Sequence, residues 1–221
     1  MSQSEKSRVV VVNGGPRRNW NTGQLLKKAL EGAESAGAEA KMVHLYEITF
    51  KGCVSCFACK TAKGYKNGRC AHQDGLSPVL DSLRGAAAVI MGSPIYLGSV
   101  TGALRSFFER WIFSNLAYDK DNPSVLEKGP AVGLILTMNI PESLLAPMGY
   151  NAVFEGYLQF LKRLNGPAVE TLLSCDTLQF DDYSKYHAPL FDEAAKKRGR
   201  EERFPQELQK AFEMGARLAR L

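Results

Sequence analysis

The sequence predicts an α/β fold, a parallel sheet covered on both faces by helices, and three observations carry that expectation. Residues 9–12 are four consecutive valines with no polar alternation, the pattern of a strand buried on both sides. Leu25, Leu26, Ala29, Leu30 and Ala33 then recur at helical spacing. The alternation of a short apolar run with a helical stretch repeats down the chain, as βαβ units require.

The elements follow in order. A strand over 8–13 leads to a helix over 22–36, and after the turn at Gly37 a second strand covers 40–45. A long connection, 46–73, carries the cysteines, and a helix over 76–83 follows it. The third strand, 87–91, ends at Gly92 and passes through a loop into a helix over 102–113. The fourth strand, 131–137, lies between the chain breakers Gly129-Pro130 and Asn139-Ile140-Pro141. A helix over 150–164, a strand over 168–173 and a helix from Pro205 onward complete the pattern. Five strands fit a doubly wound, flavodoxin-like α/β/α sandwich of order 2-1-3-4-5. Ligands of such sheets sit beyond the C-terminal strand ends, at the switch point between strands 1 and 3. Residues 1–7 are expected to be a disordered lead-in, and 8–221 a single domain with a Cys-rich insertion at 51–73; residues 176–204 give no clear pattern.

Composition bounds the function. The chain has 221 residues, 45% hydrophobic, with a formal net charge of +5, enough for one α/β domain and too weakly basic to demand nucleic acid. No apolar run is long enough to span a bilayer and no secretory signal stands out, so a cytoplasmic protein is expected, without membrane or nucleic-acid partners. The basic run Lys196, Lys197, Arg198, Arg200 meets Glu201 and Glu202 at once and reads as a solvated helix face.

The loop after strand 1, Asn13-Gly14-Gly15-Pro16-Arg17-Arg18-Asn19-Trp20-Asn21-Thr22-Gly23, joins a buried strand to a helix start. Free N–H groups and the positive dipole end make such a turn an anion site. A P-loop ATPase needs Lys-Ser/Thr where this chain has Asn21-Thr22, and the dinucleotide pattern G-x-G-x-x-G is absent. A monophosphate remains, held by Asn21 and Thr22 at the expected N-cap and by the fixed charge of Arg17; the competing reading is a plain capped turn. The second informative stretch is Gly92-Ser93-Pro94-Ile95-Tyr96-Leu97-Gly98-Ser99-Val100-Thr101-Gly102. It is apolar and aromatic where a loop would be polar, and Ile95, Tyr96 and Leu97 are placed to flank a flat ring, unless Tyr96 serves a core or subunit contact. Thr137-Met138-Asn139 offers a third wall. The stripe Leu104, Phe107, Phe108, Trp111, Ile112 reads as core or subunit surface.

With GGPRRNWNTGQLL, GSPIYLGSVTGALRSFFER and the intervening GCVSCFAC on the page, the chain resembles the NAD(P)H-dependent FMN reductases, specifically their iron–sulfur flavoprotein branch, over roughly residues 8–140. The resemblance implies FMN as cofactor. Phosphate contacts are implied at Arg17, Asn19, Asn21 and Thr22, with Gly15 and Pro16 in the same loop, and ring contacts at Pro94, Ile95, Tyr96 and Leu97. Thr137 and Asn139 join the cofactor set. Gly15 departs from the family's usual serine, so a hydroxyl contact is missing there. The resemblance also implies NAD(P)H or ferredoxin as electron donor and a homodimer or homotetramer. It names no catalytic residue, because the flavin performs the chemistry.

Cys53-x2-Cys56-x2-Cys59 and Cys70 place four thiols in eighteen residues. A tight C-x2-C-x2-C run suits a [4Fe–4S] cubane, whereas zinc ribbons more often use two separate pairs. Thiols that are free or able to form disulfides beside the flavin are the third reading. Lys60, Lys63, Lys66 and Arg69 are expected to favour thiolates. His72 reads as a surface histidine and Cys175 as a small buried hydrophobe. The function expected is an FMN-dependent oxidoreductase, with a cluster-free FMN or quinone reductase, a non-enzymatic electron carrier and a cofactor-free interaction module as alternatives.

Overall fold

Val9 to Val12 split their side chains between two cores, as a strand's period of two dictates. Val10 and Val12 pack in one hydrophobic cluster with Val89 and Met91, while Val9 and Val11 pack in the other with Ala88 and Ile90. The structure, a computed structural model, describes residues 6–164 and 166–221, so residues 1–5 of the expected lead-in lie outside the described residues.

Among the described residues the strands are β1 (Arg8–Asn13), β2 (Glu39–His44), β3 (Ala88–Tyr96), β4 (Ser99–Val100), β5 (Ala131–Thr137) and β6 (Val169–Ser174), and the helices α1 (Asn21–Ser35), α2 (Ser77–Ser82), α3 (Gly102–Asn115), α4 (Tyr150–Lys162), α5 (Glu193–Glu202) and α6 (Phe204–Leu218). The long strands run parallel in the order β2-β1-β3-β5-β6, which is the expected flavodoxin-like 2-1-3-4-5 arrangement with one strand added. The addition is β4, which pairs antiparallel with the end of β3. The expected loop from Gly92 onward is therefore strand as far as Tyr96. Extended β-branched and aromatic residues at 95 and 96 suit a hairpin, and the two-residue turn Leu97-Gly98 has positive φ at both positions, 49° and 83°, as a type I′ turn needs.

The apolar stripe of α3 is core: Leu104, Phe107, Phe108, Trp111 and Ile112 are all buried. On the other face α1 crosses α6 with backbones nearly touching. A Cβ on Gly32 would lie 1.9 Å from the Phe212 carbonyl oxygen, and one on Gly215 would lie 1.8 Å from that of Ala29, so only glycine permits the crossing. The apolar periodicity gave no bounds for α5, which carries the basic run read as a solvated helix face; Lys196 departs from that reading, because it is buried. Asp192 caps α5, accepting from Ala195 N at 2.9 Å. No helix among the described residues is long and apolar enough to cross a membrane.

Candidate functional site

Asn13, fully buried at the end of β1, sets the first loop. Its Oδ1 accepts from Gly15 N at 2.8 Å and its Nδ2 donates to His44 Nδ1 at 3.1 Å. Gly14 N donates to the Gly92 carbonyl at 2.8 Å, and Thr101 Oγ1 donates to the Gly14 carbonyl at 2.6 Å while capping α3 through Leu104 N. The loop is thus tied to β3 and α3 before any ligand arrives. Burial lowers the His44 pKa, Arg18 lowers it further and Glu47 opposes them.

Beyond the C-terminal strand ends lies a cavity of about 250 Å³. Of the residues expected to hold the cofactor, it brings together Gly15, Pro16, Arg17, Asn21, Thr22, Pro94, Ile95, Tyr96, Thr137 and Asn139. Two do not line it. Leu97 sits at the tip of the β3–β4 hairpin, fully exposed. Asn19 is exposed on the turn that Trp20 N closes onto the Arg17 carbonyl at 3.1 Å. A further correction concerns α1. Its N-cap position is Trp20, with no side-chain cap bond and no acidic residue in the first turn, so Asn21 and Thr22 lie inside the helix and leave its opening N–H groups toward the cavity end.

Thr22 and Thr137 hydroxyls lie 2.7 Å apart and join α1 to the end of β5. Asn139 Oδ1 is buried with no hydrogen-bond partner among the described residues, an acceptor awaiting a donor. Arg17 stacks over Trp20, its guanidinium 4.6 Å from the ring centre. Among the described residues the cavity lining has no carboxylate, imidazole or thiol. It suits a ligand with an anionic end, a flat apolar body and an N–H donor, and it supplies no acid–base pair for hydrolysis. Sequence reasoning missed Trp20 and residues 177–180, which complete the lining together with Met138 of the expected third wall. Trp20 stood in the loop as a visible aromatic; residues 177–180 come from the end of β6 and carried no local signal.

The four clustered cysteines line a second, much smaller cavity of about 20 Å³ between their loop and α3. Cys56 is exposed, Cys59 buried, and Cys53 and Cys70 between these extremes. Ser55 and Phe57 take left-handed backbone, φ 52° and 55°, so the run folds tightly. Among the described residues no three His, Cys, Asp or Glu side chains form a set that could hold a metal ion. Burial pushes the Cys59 thiol up; Lys60 opposes this, and Cys70 and Cys53 add to it. Lys60 thus lowers this thiol, as expected, but by less than burial raises it, and Lys60 also donates to the Phe113 and Leu116 carbonyls at the end of α3. Arg110 is the residue that sequence reasoning overlooked. It is fully buried in α3 and donates to Cys70 Sγ at 3.1 Å, the Lys51 carbonyl at 3.1 Å, Asp74 Oδ2 at 2.7 Å and the His72 carbonyl at 2.6 Å. An arginine inside the stripe Phe107, Phe108, Trp111, Ile112 was its signal. Cys175 is half-buried against the larger core, its thiol pushed up to about 11 by burial.

Residues 7–135 match the NADPH-dependent FMN reductase family. The chain belongs to that family. The matched segment of this FMN reductase homologue includes the phosphate-type loop, the cysteines and the hairpin, and stops before Thr137, Asn139 and residues 176–180. An iron–sulfur flavoprotein of Archaeoglobus fulgidus is 32% identical over 103 residues, 47% of this chain and 48% of that protein. One of Clostridioides difficile is 32% identical over 105 residues, 46% of this chain and 44% of that protein. The chain thus spans about half the length of the curated relatives it matches. Among solved structures, an NAD(P)H:quinone oxidoreductase from Methanothermobacter marburgensis superposes with a TM-score of 0.65 at 14% identity, covering 97% of this chain and 98% of that one. An FMN-dependent NADH-azoreductase from Bacillus anthracis, in complex with FMN, gives 0.63 at 12% identity, covering 96% and 99%. At such identities the likeness shows the fold.

Proposed function

We propose that this chain binds FMN in the cavity at the ends of β1, β3 and β5 and works as an NAD(P)H-dependent oxidoreductase toward a flavin, quinone or related acceptor. One observation carries the reading: three separate loops expected to hold a flavin meet at one cavity, where Asn139 Oδ1 is buried without a donor among the described residues. Bound FMN supplies hydride and single-electron chemistry. The chain binds and orients. The first turn of α1 and Arg17 face the phosphate end, where N–H groups and positive charge favour an anion. Asn139 Oδ1 would accept from a donor on the bound cofactor, and Pro94, Ile95 and Tyr96 would wall its apolar part. The Thr22–Thr137 pair holds the two sides in register. Reconstitution tests the reading: the protein takes up FMN, turns yellow and oxidises NADH or NADPH with a quinone present. Failure to bind FMN overturns it, and FMN binding without turnover supports a pure electron carrier instead.

A second reading adds a [4Fe–4S] cluster on Cys53, Cys56, Cys59 and Cys70, with ferredoxin as a one-electron partner. Support comes from the names of the relatives and from the four cysteines lining one cavity. The cluster-free reductase fits these residues about equally well, since among the described residues no three His, Cys, Asp or Glu side chains form a ready ligand set. Iron and sulfide analysis after anaerobic purification decides between them. A homodimer or homotetramer in the cytoplasm remains part of the proposal, and sedimentation of the holoprotein tests the assembly.

A further inference from the structure

Two of the donors expected to hold a phosphate, and Trp20 beside them, are already in use. Arg17 Nη1 donates to the Gln179 carbonyl at 2.7 Å, Asn21 Nδ2 to the Leu178 carbonyl at 2.8 Å, and Trp20 Nε1 to that same carbonyl at 3.1 Å. Two backbone carbonyl oxygens, each carrying partial negative charge, therefore stand at the positive end of α1 in the place of an anion. The segment that brings them, residues 176–180, follows β6 and lies outside the matched family region.

Its anchor is polar. Lys196 of α5, with a side chain only 4% exposed, reaches Asp176 Oδ1 at 2.6 Å and the Asn139 carbonyl at 3.2 Å. Arg203 adds a contact to Asp176 Oδ2 at 3.3 Å. Asp176 itself is held at φ 53°, in the left-handed region unfavourable to side chains. From the same helix Arg200 grips Asn21 Oδ1 at 3.0 Å and Gln24 Oε1 at 2.6 Å. One helix thus fastens both the segment and the first turn of α1.

We infer that residues 176–180 form a strap that occupies the phosphate donors Arg17, Asn21 and Trp20 when the cavity lacks an anion, and that Lys196 keeps it there. This rests on the FMN reading above. The strap competes with the phosphate and not with the ring, so its release favours FMN over riboflavin, which has no phosphate.

The experiment measures binding of FMN and riboflavin by fluorescence quenching in the wild type and in Lys196→Met. The expected result is FMN affinity about tenfold tighter in the variant, the scale of one to two hydrogen bonds, with riboflavin affinity unchanged. Loss of affinity for both flavins would make the strap a wall of the site and overturn the inference, as would unchanged FMN affinity. Hydrogen exchange on the wild type serves if the variant fails to fold. Thr177 N, bonded to the Met138 carbonyl, and Gln179 N, bonded to the Tyr183 hydroxyl, should exchange faster when FMN is added and unchanged with riboflavin. Slower or unchanged exchange with FMN bound overturns the strap alone. Binding of neither flavin to either protein removes the cofactor reading itself, and the strap's role with it.

Discussion

The hydroxyls of Thr22 and Thr137 stand 2.7 Å apart although 115 residues separate them along the chain. Both residues are buried, and each is the other's partner. Through this contact the start of α1 is held against the end of β5, and the two sides of the cavity keep a fixed spacing.

Thr22→Ala should leave the Thr137 hydroxyl buried and unpaired. A lost partner of this kind costs about 1–3 kcal/mol, so the melting temperature should fall, and FMN should bind about tenfold more weakly as the two walls lose register. Thr22→Ser, which keeps the hydroxyl, should restore most of both. Calorimetry and flavin titration check the pair; unchanged FMN affinity in Thr22→Ala counts against the loop's assignment.

Asn139 separates binding from folding. Its Oδ1 has no partner among the described residues while its Nδ2 donates to Gln179 Oε1 at 2.5 Å. Asn139→Ala removes an acceptor that the fold does not use, so stability should change by no more than about 1 kcal/mol, the worth of the one remaining hydrogen bond. Flavin affinity should drop about tenfold in the same variant. Equal affinity in mutant and wild type would show that the acceptor does not meet the cofactor.

Arg110 should be the most costly substitution in the cysteine region. Arg110→Met leaves Asp74 without its buried partner and two carbonyls without donors, a loss of about 3–5 kcal/mol for a broken buried ion pair. The loop over 51–74 should loosen, and Cys59, now buried, should react faster with a thiol reagent. Arg110→Lys should fail to rescue, since one ammonium cannot reach four acceptors in the guanidinium's planar pattern.

Acidification should weaken the site through His44. Burial lowers its pKa, Arg18 adds to this and Glu47 opposes it. A histidine whose folded pKa is depressed binds its proton more readily when unfolded. Its contribution is therefore fully present above the unfolded value, about 6.5, and is lost as pH falls through the lower folded value. Protonation also removes the acceptor at Nδ1 that takes Asn13 Nδ2, and Asn13 orders Gly15. Stability measured between pH 7 and pH 5 should decline in the wild type with a steeper slope than in His44→Gln. An NMR titration placing His44 above 6.5 would contradict this.

The four valines of β1, the breakers around Ala131–Thr137 and the helical stripe of α3 made the sheet order legible, because each is a local pattern imposed by a strand or helix period. The start of α1 was legible for the same reason, to within one residue of its N-cap, which is Trp20 and not Asn21 or Thr22. The hairpin at Tyr96 and Ser99 was less so, since its turn, Leu97-Gly98, lacks the usual Asn-Gly or Asp-Gly signal. Arg110 was half-visible, an arginine in an apolar stripe whose four acceptors lie 36 to 59 residues away.

By itself the sequence determined the doubly wound fold, the three loops that meet at one rim and the clustering of the four cysteines. Tertiary structure alone decided that Leu178 and Gln179 face Asn21 and Arg17 across 157 and 162 residues, that Arg200 reaches Asn21 across 179, and that Lys196 is buried on Asp176. The reason is physical. Periodicity and capping act within a few residues and leave a trace in order and spacing, whereas a backbone carbonyl meeting a distant side chain depends on where the whole sheet delivers the chain, and any residue type can supply that carbonyl.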